Sequence, residues 1–444
     1  MDENGNSVLN KVKKTRKGYG GIVMKKFITL LLALSMTIAC FSFTACGKKD
    51  NKMKVGLLCL HDDQSTYDKN FIDAFNAACK AKGVKGIIKT DIPENSAECE
   101  EAAEDLVDSG CKIVFADSFG HENNVLSVAR KHSDVQFCHA TGTQAKGANL
   151  PNFHNAFASI YEGRFLAGVA AGCKLLAMYE ANPGIAKNGV ITVGYVGAYD
   201  YAEVKSGYTS WLLGIRSVFK DANNGITVNM IVKFTDSWYD QDDEESAATA
   251  LIDEGCVLIS QHADSWGAPM ACENLDIPNV SYNGSTESRC PKTFIVSSRI
   301  NWQPYFEYVI ECVQKGNTKE MESDWVGTIA SNSVILTPLG KRASVAGTQD
   351  VIDTYRNALL NGTKKVFDTS LFTVSSYEGG AYAELTNVMM DENKKLVSAK
   401  QNGVEVVKTA NGITYFDESV NRSAPYFDIN IDGIRLIAAS PKKA

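Results

Sequence analysis

The sequence predicts an α/β protein: two doubly wound parallel-sheet lobes joined by a hinge, with an appended C-terminal β-rich tail. Three observations carry this. Short apolar runs alternate with segments whose apolar residues recur at helical spacing, the pattern of parallel strands covered by helices on both faces. The alternation comes in two blocks, one from Lys54 and one from near Gly189. From Thr363 the helical spacing vanishes, and short β runs with Gly and Asn turn signals replace it.

In the first block, Val55 to Leu60 reads as a strand, and Phe71, Ala74, Phe75 and Ala78 fall on one helix face that Gly83 closes. Lys85 to Lys89 is the next strand, and Cys99, Ala102, Ala103 and Leu106 mark a helix ended by Gly110. Ile113 to Ala116 with Val125, Val128 and Ala129 repeats the unit, and Val135 to Ala140 adds a fourth strand. Tyr161 to Leu176 is a long helix of small residues, suited to close packing between lobes. In the second block Val190 to Val196 is a strand, and Val204, Tyr208, Trp211, Leu212, Ile215 and Phe219 trace one helix face. Ile226 to Val232, Ala247 to Ile252, Val257 to Ser260 and Val280 to Asn283 continue it, and Phe294 to Arg299 and Val334 to Thr337 return as hinge strands. The boundaries expected are lobe 1 at 54–188, lobe 2 at 189–292, crossover strands and helices at 293–362 and the β-rich extension at 363–444.

Residues 24–45 have the form of a secretory signal: Lys25 and Lys26, an apolar stretch, then Phe43-Thr44-Ala45 before Cys46. A permanent membrane helix competes, because Phe27 to Ala45 is about long enough to span. The ending decides: it resembles a bacterial lipobox, making Cys46 the lipidated residue, 46–53 an anchor linker and 1–23 an extension from a mis-assigned start. The expected location is the cell membrane, lipid-anchored and facing outside the cytoplasm. The first 45 residues hold seven Lys and Arg against two acidic residues, so the rest carries 38 basic against 50 acidic side chains, a net charge of −12. That acidity argues against nucleic acid as a partner. The ten cysteines from Cys59 to Cys312 show no Cys-x-x-Cys pair, and most lie in apolar runs, so they read as buried thiols.

Catalytic signatures are missing: no phosphate loop, no G-x-S-x-G elbow, no His-Glu-x-x-His, and six histidines without metal-ligand spacing. No enzyme activity, cofactor or metal is expected. Polar and aromatic residues instead gather just past strand ends, where open α/β sheets bind ligands. His61, His262, Ser265 and Tyr282 belong to this set. The ligand-binding candidates drawn from it are Tyr67, Asp68, Asn70, Ser118, Phe119, Tyr201, Glu203, Trp238, Asp240, Asp264, Trp266 and Asn283. Any one has a bland alternative, such as a helix cap for Asp68 or Asp240 and edge packing for Trp266. Together they describe an aromatic box with carboxylates and amides, suited to a flat heteroaromatic ligand.

Ser65-Thr66-Tyr67-Asp68-Lys69-Asn70-Phe71, Tyr161-Glu162-Gly163-Arg164-Phe165-Leu166-Ala167-Gly168, Trp238-Tyr239-Asp240 and Gln261-His262-Ala263-Asp264 together resemble the basic-membrane-protein family of ABC-transporter substrate-binding lipoproteins. The resemblance implies a type I periplasmic-binding-protein-like fold, a purine base or purine nucleoside as ligand and an ABC permease as partner. On the family's D-x-S-F-N element Asn70 replaces Ser and Ile72 replaces Asn, which puts one polar contact in doubt. Trp238 takes the place of a base-stacking aromatic, and His262-Ala263-Asp264 resembles the purine-base branch. Glu203 and Asp264 are the carboxylates expected to accept ligand N–H groups, and Asn283 stands where nucleoside binders carry an Asp. Two other classes stay open: a ligand-sensing surface lipoprotein without a transporter, and a nucleoside hydrolase or phosphorylase.

Overall fold

A computed structural model describes residues 52–378 and 383–439. The expected signal at 24–45, the extension at 1–23 and Cys46 lie outside the described residues. Among those described, no helix is long and apolar enough to cross a membrane.

Lobe 1 opens with β1 (Lys54–Leu58), α1 (Thr66–Lys82), β2 (Lys85–Lys89), α2 (Ala97–Asp108), β3 (Cys111–Ala116), α3 (Glu122–Lys131), β4 (Gln136–Ala140), the short α4 (Ala145–Ala148) and β5 (Phe153–Ala158). Local chemistry sets the helix ends. Ser65 caps α1 by accepting the Asp68 N–H, and Gly83 ends it at φ 67°, a left-handed conformation that favours glycine. β5 has no counterpart in the sequence expectations, because polar His154 and Asn155 interrupt its apolar pattern while being buried.

The chain leaves lobe 1 through α5 (Ile160–Ala181). Lobe 2 follows as β6 (Val190–Gly197), α6 (Ala202–Ala222), β7 (Thr227–Phe234), α7 (Gln241–Asp253), β8 (Ile259–Gln261), α8 (Gly267–Leu275), β9 (Asn279–Tyr282) and β10 (Phe294–Ile300). α5 and α6 pack backbone to backbone: a Cβ on Gly168 would stand 2.0 Å from the Trp211 carbonyl oxygen, and one on Gly214 2.1 Å from that of Phe165. Small residues are therefore required at this crossing.

The expected crossover segment is shared out between the lobes. β10 extends the second sheet, whereas α9 (Gln303–Lys315) packs on α1, with Trp302 stacked on Phe71 at 4.3 Å, and β11 (Asp324–Gly327) joins the first sheet beside β5. β12 (Val334–Leu336) returns to the second sheet, and α10 (Thr348–Leu360) follows. Sheet one is parallel in the order β11-β5-β4-β3-β1-β2. The chain crosses between lobes three times: along α5, after β10 and before β12.

The tail forms β13 (Thr386–Met390), β14 (Leu396–Gln401) and β15 (Val404–Glu405) in one small sheet, with β16 (Val407–Ala410) and β17 (Ile413–Phe416) in a hairpin. One part departs from the expectation of appended hairpins: β18 (Ile434–Ile437) runs parallel to β7 and closes the edge of the second sheet. That sheet, β12-β10-β9-β8-β6-β7-β18, is mixed, because β12 is antiparallel to β10. The tail also reaches both lobes. Glu418 accepts the Ser206 hydroxyl of α6 at 2.6 Å, and the Ser423 N–H donates to Asp324 at the start of β11 at 3.0 Å. All ten cysteines from Cys59 to Cys312 are free thiols, eight of them buried.

Candidate functional site

The two sheets aim their carboxyl ends at one another, and a small cavity lies between them. From lobe 1, Leu60, His61, Tyr67 and Asp68 line it beyond β1, Ser118 and Phe119 beyond β3, and Thr141 beyond β4. Thr141 sits at φ 63°, a costly conformation for a β-branched residue and one that clusters at functional sites. From lobe 2, Glu203, Trp238, His262, Asp264 and Tyr282 complete the wall.

The lobes touch directly across this cavity. The Asp264 carbonyl accepts both the backbone N–H and the hydroxyl of Thr66, each at 3.1 Å, while His61 faces Tyr239 at 5.4 Å and Phe119 faces Tyr201 at 5.6 Å. The cleft is closed.

Seven of the candidate residues therefore line the cavity: Tyr67, Asp68, Ser118, Phe119, Glu203, Trp238 and Asp264. Five do not. Tyr201 stacks on Tyr199 at 5.2 Å and flanks the mouth. Asn70, two residues and about 200° around the helix from Asp68, gives its amide to the Ile300 carbonyl at 2.7 Å and fastens α1 to β10. Asp240 caps α7 through the Asp243 N–H, and Trp266 carries the Arg289 guanidinium 4.4 Å above its ring. Asn283 donates to the Asp264 carboxyl at 3.1 Å and supports it from behind. Conversely His61, His262 and Tyr282 line the cavity without having been chosen as ligand contacts; each stands at or just beyond a strand's carboxyl end, which was the available signal.

The electrostatics divide the acidic groups. Burial acts to raise Asp68, but hydrogen bonds from the side chain and backbone of His61 and from Ser65 outweigh it and hold the carboxyl below its ordinary range. Burial, then the charge of Asp68, pushes the neighbouring Asp117 well up. Cys59, Asp68 and Asp117 bring ligand atoms within 4.8 Å of one another. With Asp117 pushed up and Asp68 held down, the two carboxyls are driven toward different protonation states, as in a coupled pair. Asp264 is pushed well above its ordinary range by burial, then by Asp68, Glu244 and Glu203. That direction favours the protonated form, in which Asp264 accepts from Asn283 and has an O–H to donate. The Tyr67 hydroxyl donates to the Asp117 carbonyl at 2.8 Å and the Ser118 hydroxyl to Glu94 at 2.6 Å, so both hold the floor of the site in place.

Two α/β lobes, three chain crossings and a closed cleft at the strand carboxyl ends make up the two-lobed ligand-cleft architecture. The model of the ABC transporter substrate-binding protein PnrA-like family, Bmp, matches residues 59–356, and the chain belongs to that family. A purine-binding protein of Brucella abortus (strain 2308) is 31% identical over 295 residues, covering 65% of this chain and 77% of that one. A Haloferax volcanii protein provisionally named an ABC transporter glucose-binding protein is 27% identical over 282 residues, covering 64% and 66%. Among solved structures, an ABC transporter solute-binding protein from Aeropyrum pernix K1 superposes with a TM-score of 0.59 at 13% identity, over 74% of this chain and 95% of that one. One from Conexibacter woesei DSM 14684 gives 0.55 at 20%, over 70% and 98%. At these identities the two structures share the fold.

Proposed function

We propose that this protein is the lipid-anchored capture subunit of an ABC importer and that its cleft takes a purine base or purine nucleoside, with the base favoured. The observation that carries this is the cavity wall. Trp238 and Phe119 supply flat aromatic surface, Glu203 an acceptor and Asp264 a donor, inside a cleft closed by direct contact between lobes. A purine offers π faces and a rim of mixed donors and acceptors to that set. The purine-binding relative supports the same ligand class. Asn283, which stands where the family's nucleoside binders carry an Asp, spends its amide on Asp264, which favours the base. The lipobox-like sequence around Cys46 supports the lipid, and the family supports the permease. A sensor without a transporter is the competing role, and permease genes beside this one separate the two. Denaturing the purified protein and identifying the released small molecules by mass spectrometry tests the ligand: a purine is expected, and a hexose in its place overturns the reading.

A further inference from the structure

Behind the cavity wall lies a cation that is not itself part of the lining. Arg164, on α5, is fully buried. Its Nη1 donates to the Gln261 carbonyl at 3.0 Å and its Nη2 to His262 Nδ1 at 3.1 Å, while its guanidinium carbon stands 3.3 Å from the centroid of the Tyr282 ring. Its neighbours in the helix, from Gly163 to Gly172, are otherwise Gly, Ala and large apolar side chains.

Hydrogen-bond polarity then runs one way. Arginine only donates, so Nδ1 of His262 must present a lone pair. The Tyr195 hydroxyl approaches the same atom at 3.4 Å, a second donor converging on it. With Nδ1 bare, the ring of a neutral imidazole carries its proton on Nε2, and burial favours that neutral form by lowering the His262 pKa. Nε2 lies 3.1 Å from Glu203 Oε1. The imidazole therefore donates to one oxygen of Glu203, fixing the carboxylate and leaving the other oxygen as an acceptor on the cavity wall. The neighbouring α6 makes room for this chain of contacts: a Cβ on Gly207 would stand 2.9 Å from His262 Nδ1.

We infer that Arg164 is a positioning residue for ligand selection: acting through the His262 tautomer, it fixes Glu203 as an obligatory acceptor, so the cleft selects ligands that place an N–H against it. This deepens the purine reading and rests on it for the identity of the ligand, but not for the tautomer. The Tyr282 hydroxyl, buried and without a partner among the described residues, lies on the same wall.

Two measurements test it. In protein labelled with ¹⁵N-histidine, with His262 assigned by His262→Gln, the ring is expected to be protonated at Nε2 and bare at Nδ1. A proton on Nδ1 in the wild type overturns the inference, whatever the ligand proves to be. Calorimetry then compares hypoxanthine with its 1-, 7- and 9-methyl derivatives. Wild type is expected to reject at least one derivative by about tenfold or more, the one lacking the N–H that faces Glu203. Arg164→Met is expected to shrink that rejection to about threefold or less, and His262→Gln, which retains both an acceptor and a donor, to preserve more of it than His262→Phe. A uniform loss for every ligand in Arg164→Met, with the rejection ratio intact, is the mark of mere structural support and overturns the proposal. If Arg164→Met does not fold, the wild-type tautomer and the His262→Gln against His262→Phe comparison decide. A wild type that binds no purine refutes the purine reading alone, and the tautomer then decides the relay.

Discussion

Glu418 gives the tail a pH-dependent hold on lobe 2. Its carboxyl is fully buried and accepts from the Ser206 hydroxyl at 2.6 Å, the Tyr426 N–H at 3.1 Å and the Phe427 N–H at 2.8 Å. Burial outweighs those bonds and pushes the group from 4.5 up to about 7. A raised folded-state pKa favours the protonated form, so the associated stability is fully present below about pH 4.5 and is lost as pH rises through about 7. A shift of that size corresponds to about 3 kcal/mol between pH 4.5 and 8. Glutamine keeps an acceptor for the two backbone N–H groups and a donor for Ser206 and cannot ionise. Glu418→Gln should therefore match wild type near pH 4.5 and exceed it by about 3 kcal/mol at pH 8. Urea denaturation of both proteins at half-unit pH steps checks this. The difference between the two curves isolates Glu418 from Glu244, which burial also raises to about 7. Parallel curves across that window would refute the reasoning.

Three further outcomes are expected. Trp238 is half-buried and packs edge-on to Tyr199 at 5.1 Å, so Trp238→Ala should weaken ligand binding by about 10- to 100-fold, the 1–3 kcal/mol of a stacked base, with thermal unfolding of the ligand-free protein little changed; unfolding with intact affinity would make it a core residue. Asp264→Asn reproduces a neutral acid's acceptor and donor, so calorimetry should show affinity within about threefold of wild type; a loss beyond tenfold would mean that the ionised carboxylate is needed. Cys46→Ala should release or misprocess the protein, and its continued labelling by radioactive palmitate in membrane fractions would locate the anchor elsewhere.

The alternation of strands and helices was legible because parallel strands buried on both faces read as plain apolar runs. What escaped were strands without such a run. β5 carries His154 and Asn155, whose burial is made tolerable by Gln136 and the Glu322 carbonyl for the first and by Glu122 and the Ala145 N–H for the second. β11 has four residues, and β18 reads as tail because its partner β7 lies some 200 positions earlier. In the site, strand ends pointed to the loops that line the cavity. Which side chain of a loop turns inward depends on helix phase and caps, so Asp68 and Asn70 part company within one turn, and Asp240 is drawn to its own helix. The upward push on the Asp264 carboxyl was beyond reach, since it comes from burial beside acidic groups remote in sequence.

Calorimetric titration of the ligand-free protein with adenine, hypoxanthine, adenosine, inosine and glucose decides whether this cleft is built for a purine base. Adenine or hypoxanthine is expected to bind at least about tenfold tighter than its nucleoside, a gap of about 1.4 kcal/mol, with no heat from glucose. Nucleosides binding as tightly as the bases, or glucose binding where the purines do not, would contradict it.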